Sequence, residues 1–114
     1  MEQTTNLILQ MYQSRAQVLA EQTALLLVSM DENYVPEANW ANPAFKNAKL
    51  QDKAYRRALL DVGAISARTA VLLGWQFESM LRREVLKLQN EWRKEMKRKL
   101  DATFARIGAK IGYI

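Results

Sequence analysis

The sequence predicts an all-α fold: a helical hairpin, with an N-terminal helix packed on a long second helix, and an extended basic amphipathic C-terminal helix. Two prolines, four glycines and few β-branched runs among 114 residues favour helix over strand. Apolar residues recur every three or four positions near both ends of the chain, the spacing of one helix face. The composition, 49% hydrophobic and 25% charged, matches a folded protein, and the length predicts one domain over residues 1–114.

The first helix is predicted over about residues 4–30, because two adjacent apolar stripes run along this segment. One stripe is Leu7, Met11, Val18 and Leu25, and the other is Ile8, Tyr12, Leu19, Leu26 and Met30. Together they predict a broad face that packs on more than one neighbour. Asp31-Glu32-Asn33 ends the helix, and residues 31–42 are predicted to be a loop.

The second helix is predicted to begin at Asn42-Pro43, because asparagine caps helices well and proline suits the first helical position. Trp40 and Phe45 flank this start, and we expect them to pin the loop to the core. A binding loop that displays Tyr34 and Trp40 is the alternative.

The stretch Trp40-Ala-Asn-Pro-Ala-Phe45, followed by Tyr55, is similar to a Trp-x-x-Asn-Pro stretch near the start of polyhydroxyalkanoate synthases. The resemblance covers few residues and its spacing differs by one. The catalytic domain of that family is missing from these 114 residues, so the resemblance implies no activity here.

Few stop signals interrupt the second helix, which is predicted over about residues 43–107. At about 1.5 Å per residue it would approach 100 Å, whereas a compact domain of this size has a radius of gyration of about 13 Å. A break near Gly63 or Gly74 is one resolution. Gly63, Ala67, Ala70 and Gly74 also form a small-residue face. We favour close helix packing at this face, with helix one antiparallel along residues 52–80.

The C-terminal third carries an apolar stripe that this hairpin leaves uncovered. The stripe is Leu81, Val85, Leu88, Trp92, Met96, Leu100, Phe104, Ile107, Ile111 and Ile114. Exposed apolar surfaces of this extent mark interfaces, so the stripe is predicted to be an assembly interface. The helix is expected to end at Gly108, and residues 108–114 form an apolar tail that can dock on a neighbouring subunit.

Positive charge is concentrated in the same region. Residues 1–50 carry three basic and five acidic groups (net −2), and residues 51–114 carry fourteen and seven (net +7). The candidate phosphate contacts are Arg82, Arg83, Lys87, Arg93, Lys94, Lys97, Arg98 and Lys99. Three glutamates interrupt this run, which favours an acidic protein surface over nucleic acid. Arg68 lies in apolar surroundings and is expected to pair with Asp61 or Glu21.

The residue types exclude the common catalytic and metal sites. The chain has no histidine and no cysteine, so the usual zinc sites and the di-iron bundle motif are impossible. The four glycines are too scattered for a phosphate-binding loop. We therefore predict no enzyme, no cofactor, no metal and no small-molecule substrate.

The predicted function is a structural or adaptor subunit of a larger assembly, with copies of itself or other proteins as partners. A phage particle is one such assembly, since phage particles use many small helical subunits that are poor in cysteine. Nucleic-acid binding by residues 82–99 is the alternative, and contact with a membrane is less favoured. The N-terminus lacks a basic region before an apolar core, so no secretory signal is expected and the predicted location is the cytoplasm or a virus particle.

Overall fold

The computed structural model describes the backbone of residues 2–110 and the side chains of residues 6–108. In this part of the chain the elements are helix α1 (Glu2–Leu27), strands β1 (Val28–Met30) and β2 (Pro36–Ala38), helix α2 (Pro43–Asp61) and helix α3 (Ala67–Lys110). The predicted all-α class is confirmed, with the addition of a small two-stranded sheet. Ile111 and Ile114, which belong to the predicted stripe, lie outside the described residues.

The three helices form a bundle in which α1 and α3 run parallel and α2 runs antiparallel to both. The Tyr12 hydroxyl lies 3.2 Å from the Leu73 carbonyl oxygen, and Gln17 donates to Glu84 farther along the same two helices. Against α2 the direction reverses, because Tyr12 contacts Asp52 whereas Leu26, near the other end of α1, contacts Asn42. The predicted antiparallel packing therefore holds for α2 and is wrong for residues 67–80.

A β-hairpin replaces the predicted end of the first helix and part of the predicted loop. The strands are antiparallel, with Val28 opposite Ala38 and Met30 opposite Pro36. The Asp31 carboxylate accepts from the backbone N–H groups of Asn33 (2.9 Å) and Val35 (2.7 Å), and Tyr34 has a left-handed backbone (φ 61°). An aspartate that bonds the backbone two residues on favours a turn over a continuing helix. The helix accordingly ends at Leu27, three residues before the predicted end.

The long helix predicted over residues 43–107 is broken at Gly63. Its φ of +72° is the left-handed conformation that glycine adopts without strain, and a Cβ there would meet nothing within 4 Å. The N–H groups of Gly63 and Ala64 bond back to Leu60 and Leu59 (3.0 and 2.9 Å), the pattern of a glycine-terminated helix. Gly63 is thus a helix stop, and the preference for close packing at this residue was wrong.

The core side of α1 is built from alanine. Tyr12, Ala16, Ala20, Ala24 and Leu27 are each at most 3% exposed, and they pack with Leu73, Phe77, Leu81 and Val85 of α3. The small alanine side chains allow α1 to approach α3 closely. The large side chains of α3 then fill the space between these two helices. These alanines form a small-residue face that was not predicted, and the predicted core stripe Leu7, Met11, Val18 and Leu25 faces outward, 51–60% exposed.

Candidate assembly surfaces

The predicted stripe along α3 divides into a covered and an exposed part. Leu81 and Val85 are at most 2% exposed, and Leu88 and Trp92 are half-buried against the core. The prediction that the rest of the chain leaves these four residues uncovered was wrong. Helix α1 runs parallel to α3 and lies alongside the part of α3 that follows residue 80. Met96, which lies between the two parts, is half-buried. Farther along, Leu100, Phe104 and Ile107 are 49%, 66% and 48% exposed.

Residues 93–110 of α3, here called the projecting segment, extend past the bundle. The molecule measures 71 × 31 × 15 Å, and its radius of gyration of 20.4 Å exceeds the value of about 13 Å expected for a compact domain of this size. A helix of 44 residues is about 66 Å long, so α3 alone accounts for the long dimension. Gly108 does not end it, contrary to the prediction, because the helix continues to Lys110.

The projecting segment carries seven basic and two acidic residues, a net charge of +5. Three of the eight candidate phosphate contacts have partners among the described residues, and one of them is Arg93, which donates to the Asn90 side chain at 3.4 Å. The Arg82 guanidinium lies over the Trp40 ring, 4.8 Å from its centroid, and Arg98 donates to Glu95 at 2.6 Å. The bond from Arg98 lowers the pKa of the Glu95 carboxyl. Arg83, Lys87, Arg93, Lys94, Lys97 and Lys99 are exposed.

The start of α2 is fastened to the rest of the molecule by polar and aromatic contacts. The Asn42 side chain accepts from the Ala44 N–H (2.9 Å) and donates to the Leu26 carbonyl (3.1 Å), which confirms the predicted cap. Trp40 and Phe45 meet edge to face, with ring centroids 5.1 Å apart. The residues that resemble the synthase stretch thus hold a helix start in place. Tyr34 is 66% exposed at the tip of the hairpin.

A buried polar network joins the three helices, and the sequence reasoning missed it. The Tyr12 hydroxyl donates to Asp52 at 2.5 Å, and the Arg56 guanidinium bonds the same carboxylate at 2.8 Å and the Ala70 carbonyl at 2.9 Å. Burial, followed by the bond to the Asp52 carboxylate, raises the pKa of the Tyr12 hydroxyl above its ordinary value of 10.0. The sequence signal for this network is the i,i+4 spacing of Asp52 and Arg56, which places the two side chains next to each other on a helix.

This network explains the second glycine of the predicted small-residue face. A Cβ on Gly74 would lie 2.8 Å from the Arg56 guanidinium carbon, so the glycine makes room for that side chain. Ala67 and Ala70 line a groove between α2 and α3. The ion pair predicted for Arg68 is not found, because Arg68 is exposed, Asp61 pairs with Arg57 at 3.0 Å, and Glu21 accepts from Gln17.

Two kinds of site are absent from the described part of the chain. Among the described side chains, those of residues 6–108, no cluster of acidic residues could bind a metal ion. Within the same range, no helix combines the length and the apolar character that a membrane span needs.

Comparison with known proteins adds no relative. No protein-family model matches the sequence, and searches of curated proteins and of solved structures give no match either.

Proposed function

We propose that this protein is a non-enzymatic subunit of a larger protein assembly and that it acts through helix–helix interfaces. The observation that carries the proposal is the exposure of Leu100, Phe104 and Ile107 on a helix that extends past its own bundle. A phage particle is one assembly of this kind.

The apolar side chains of the projecting segment support an interface because they follow a helix spacing. Met96, Leu100, Phe104 and Ile107 are four, four and three residues apart, so they lie along one side of the helix. Full burial of a leucine, isoleucine or phenylalanine side chain contributes roughly 1.5–3 kcal/mol. A partner that covers this side would therefore remove a substantial apolar surface from water.

The charge of the projecting segment supports a partner surface with acidic residues around an apolar groove. The net charge of +5 would repel a second projecting segment laid directly alongside the first, so a second copy of the chain would contact this segment with a different surface. An acidic rim would instead pair with Lys94, Lys97 and Lys99, all exposed. Ion pairs at the rim of an interface orient the partners and raise the association rate more than they raise the affinity.

Absolute mass by light scattering on a sizing column tests the proposal. The natural chain is expected to elute as a multimer of its 13.2 kDa mass, and Phe104→Glu is expected to reduce that mass. Ala105→Glu is the matched control, because it adds the same charge at the next exposed residue, on a different side of the helix. A natural chain that stays monomeric at all concentrations, or equal effects of both variants, would contradict the proposal.

Nucleic-acid binding is the second candidate, and the specific observation in its favour is the group of exposed lysines at 94, 97 and 99. If these lysines bind phosphates, removing each one should weaken binding uniformly across sequences and lower the slope against log salt by about one. Replacing the three lysines by alanine tests this in a titration with duplex DNA. If the natural chain elutes at physiological ionic strength with a protein-like ratio of absorbance at 260 and 280 nm, this candidate fails.

A further inference from the structure

The outer face of α1 is a second apolar surface, separate from the projecting segment. Leu7, Met11, Val18 and Leu25 are 51–60% exposed on the side of the helix opposite the alanine core face. Their spacings of four, seven and seven residues keep them in line along the helix, as in a helix–helix seam. This helix is thus apolar on two opposite sides, and only one side is covered within the chain.

We infer that this face pairs with the same face of a second copy of the chain, antiparallel, about a two-fold axis at Val18. The inference rests on the proposed function and deepens it by naming one partner. A two-fold interface uses the same patch on both subunits, so the patch must be complementary to itself. The sequence of the α1 face meets this condition.

The first argument is the absence of a strong charge. Between residues 6 and 27 the charged residues are Arg15 and Glu21, one of each sign. Two copies can approach each other along this face without net repulsion. Nucleic acid or an anionic lipid surface would find no net positive charge along this helix to bind, which makes protein the favoured partner.

The second argument is the register about Val18. Met11 and Leu25 lie seven residues before and after Val18, at about 10.5 Å on either side. A two-fold axis at Val18 therefore places Val18 on its own copy and Met11 on Leu25 of the second copy. Met11, Val18 and Leu25, three of the four residues of the face, then contact apolar side chains of the second copy.

The third argument is the polar residues on the two flanks of the seam. In an antiparallel pair related by this axis, each flank of one helix lies against the same flank of the second copy. Arg15 then lies within one residue step of Gln22 of the second copy, and Glu21 within one step of Ser14 of the second copy. The Arg15 guanidinium lies over the Tyr55 ring of its own chain, 4.3 Å from the centroid, and Glu21 accepts from Gln17 of its own chain, so both charges are partly compensated within each copy. Neither flank brings like charges into contact.

Single cysteines test the register with no background, because the natural chain has no cysteine. Val18→Cys is expected to form a covalent dimer under mild oxidation, seen as a shift from 13.2 kDa to twice that mass on a non-reducing gel. Met11→Cys or Leu25→Cys alone is expected to stay at the monomer mass, whereas a mixture of the two is expected to form the dimer. Val62→Cys, which is 78% exposed in the loop after α2, is the control for random collision.

Each outcome decides the inference. Cross-linking of Leu25→Cys alone and Met11→Cys alone would show a parallel pair, and cross-linking of Val18→Cys no faster than Val62→Cys would exclude pairing at this face. Either result with the multimer intact overturns the α1 pairing and leaves the proposed function standing. A monomer at every concentration overturns both.

Discussion

The two ends of helix α3 carry the same kind of apolar stripe and have different surroundings. In the covered end, Leu81 is 0% exposed and lies in the core formed with α1. In the projecting segment, Phe104 is 66% exposed. Because one continuous helix presents both environments, the spacing of its apolar residues does not reveal which part is buried within the chain. The length of α1 and its direction relative to α3 decide that.

Two ion pairs differ in the same way between the bundle and the projecting segment. Asp52 and Arg56 form a pair in the bundle, with side chains 3% and 18% exposed, and Glu95 and Arg98 form a pair in the projecting segment, 48% and 75% exposed. Removal of one partner from a buried ion pair leaves the other charge buried without a partner, which destabilises the fold. Removal of one partner from an exposed pair leaves the other charge in water, at little cost in stability. The bundle is therefore expected to be sensitive to substitutions that the projecting segment tolerates.

Breaking one pair at a time gives the largest expected difference. Asp52→Ala leaves the Arg56 guanidinium and the Tyr12 hydroxyl without their acceptor and is expected to lower the free energy of unfolding by about 3–5 kcal/mol. Glu95→Ala is expected to leave the urea midpoint of the monomer unchanged. Equal midpoints for the two variants would show that the buried network does not hold the bundle together.

Truncating one leucine in each part of α3 is the next test. Leu81→Ala is expected to cost about 2–5 kcal/mol, because it removes a fully buried side chain and leaves a cavity. Leu100→Ala is expected to change the stability of the monomer by less than about 0.5 kcal/mol. Urea unfolding at a concentration where light scattering reports the monomer measures both. A large decrease for Leu100→Ala in the monomer would mean that this leucine is covered within its own chain.

The stability of the bundle is expected to fall at alkaline pH because of Tyr12. Its raised pKa means that the folded chain keeps the hydroxyl proton at pH values where the unfolded chain, with a pKa of 10.0, loses it. The contribution is complete below pH 10 and declines above it, by up to about 1.4 kcal/mol per pH unit. Tyr12→Phe should remove this part of the slope, and Tyr34→Phe, at an exposed site, should retain it.

Urea unfolding of the natural chain and both variants between about pH 9 and pH 11 checks this prediction. The comparison is between slopes, since the three proteins differ only at Tyr12 or Tyr34. A Tyr12→Phe slope equal to that of the natural chain would contradict the role given to the buried hydroxyl.

The smallest expected effect concerns the turn that separates α2 from α3. Gly63→Ala is expected to cost about 1 kcal/mol, because alanine adopts the left-handed conformation with strain although space for its Cβ is available. Thermal unfolding measures the decrease. A variant at least as stable as the natural chain would show that the left-handed turn is not needed to set the start of α3.

Local signals were sufficient for much of the fold. The helical class, the cap at Asn42 and the helical spacing along α3 follow from residues close together in sequence, and each was predicted. The hairpin was missed because Val28 continues the apolar run of Leu25, Leu26 and Leu27, and a short apolar run does not distinguish a strand from a helix.

Contacts between distant residues account for the remaining errors. The alanine face of α1 was overlooked because large side chains indicate a core more strongly than small ones, although close packing needs the small ones. The buried Asp52–Arg56 pair depends on Tyr12, forty residues away in sequence. The covered part of the α3 stripe could be assigned only once the break at Gly63 had set the direction of α3.

Hydrogen exchange at two protein concentrations tests the central claim, that the projecting segment is an interface and the covered end of α3 is not. Backbone amides of residues 70–88 are expected to exchange slowly at both concentrations, because their helix is buried in the bundle. Residues 96–107 are expected to exchange fast when the protein is dilute and slowly at the concentration where light scattering reports the multimer. If a multimer forms and residues 96–107 exchange equally fast at both concentrations, the projecting segment is not its interface.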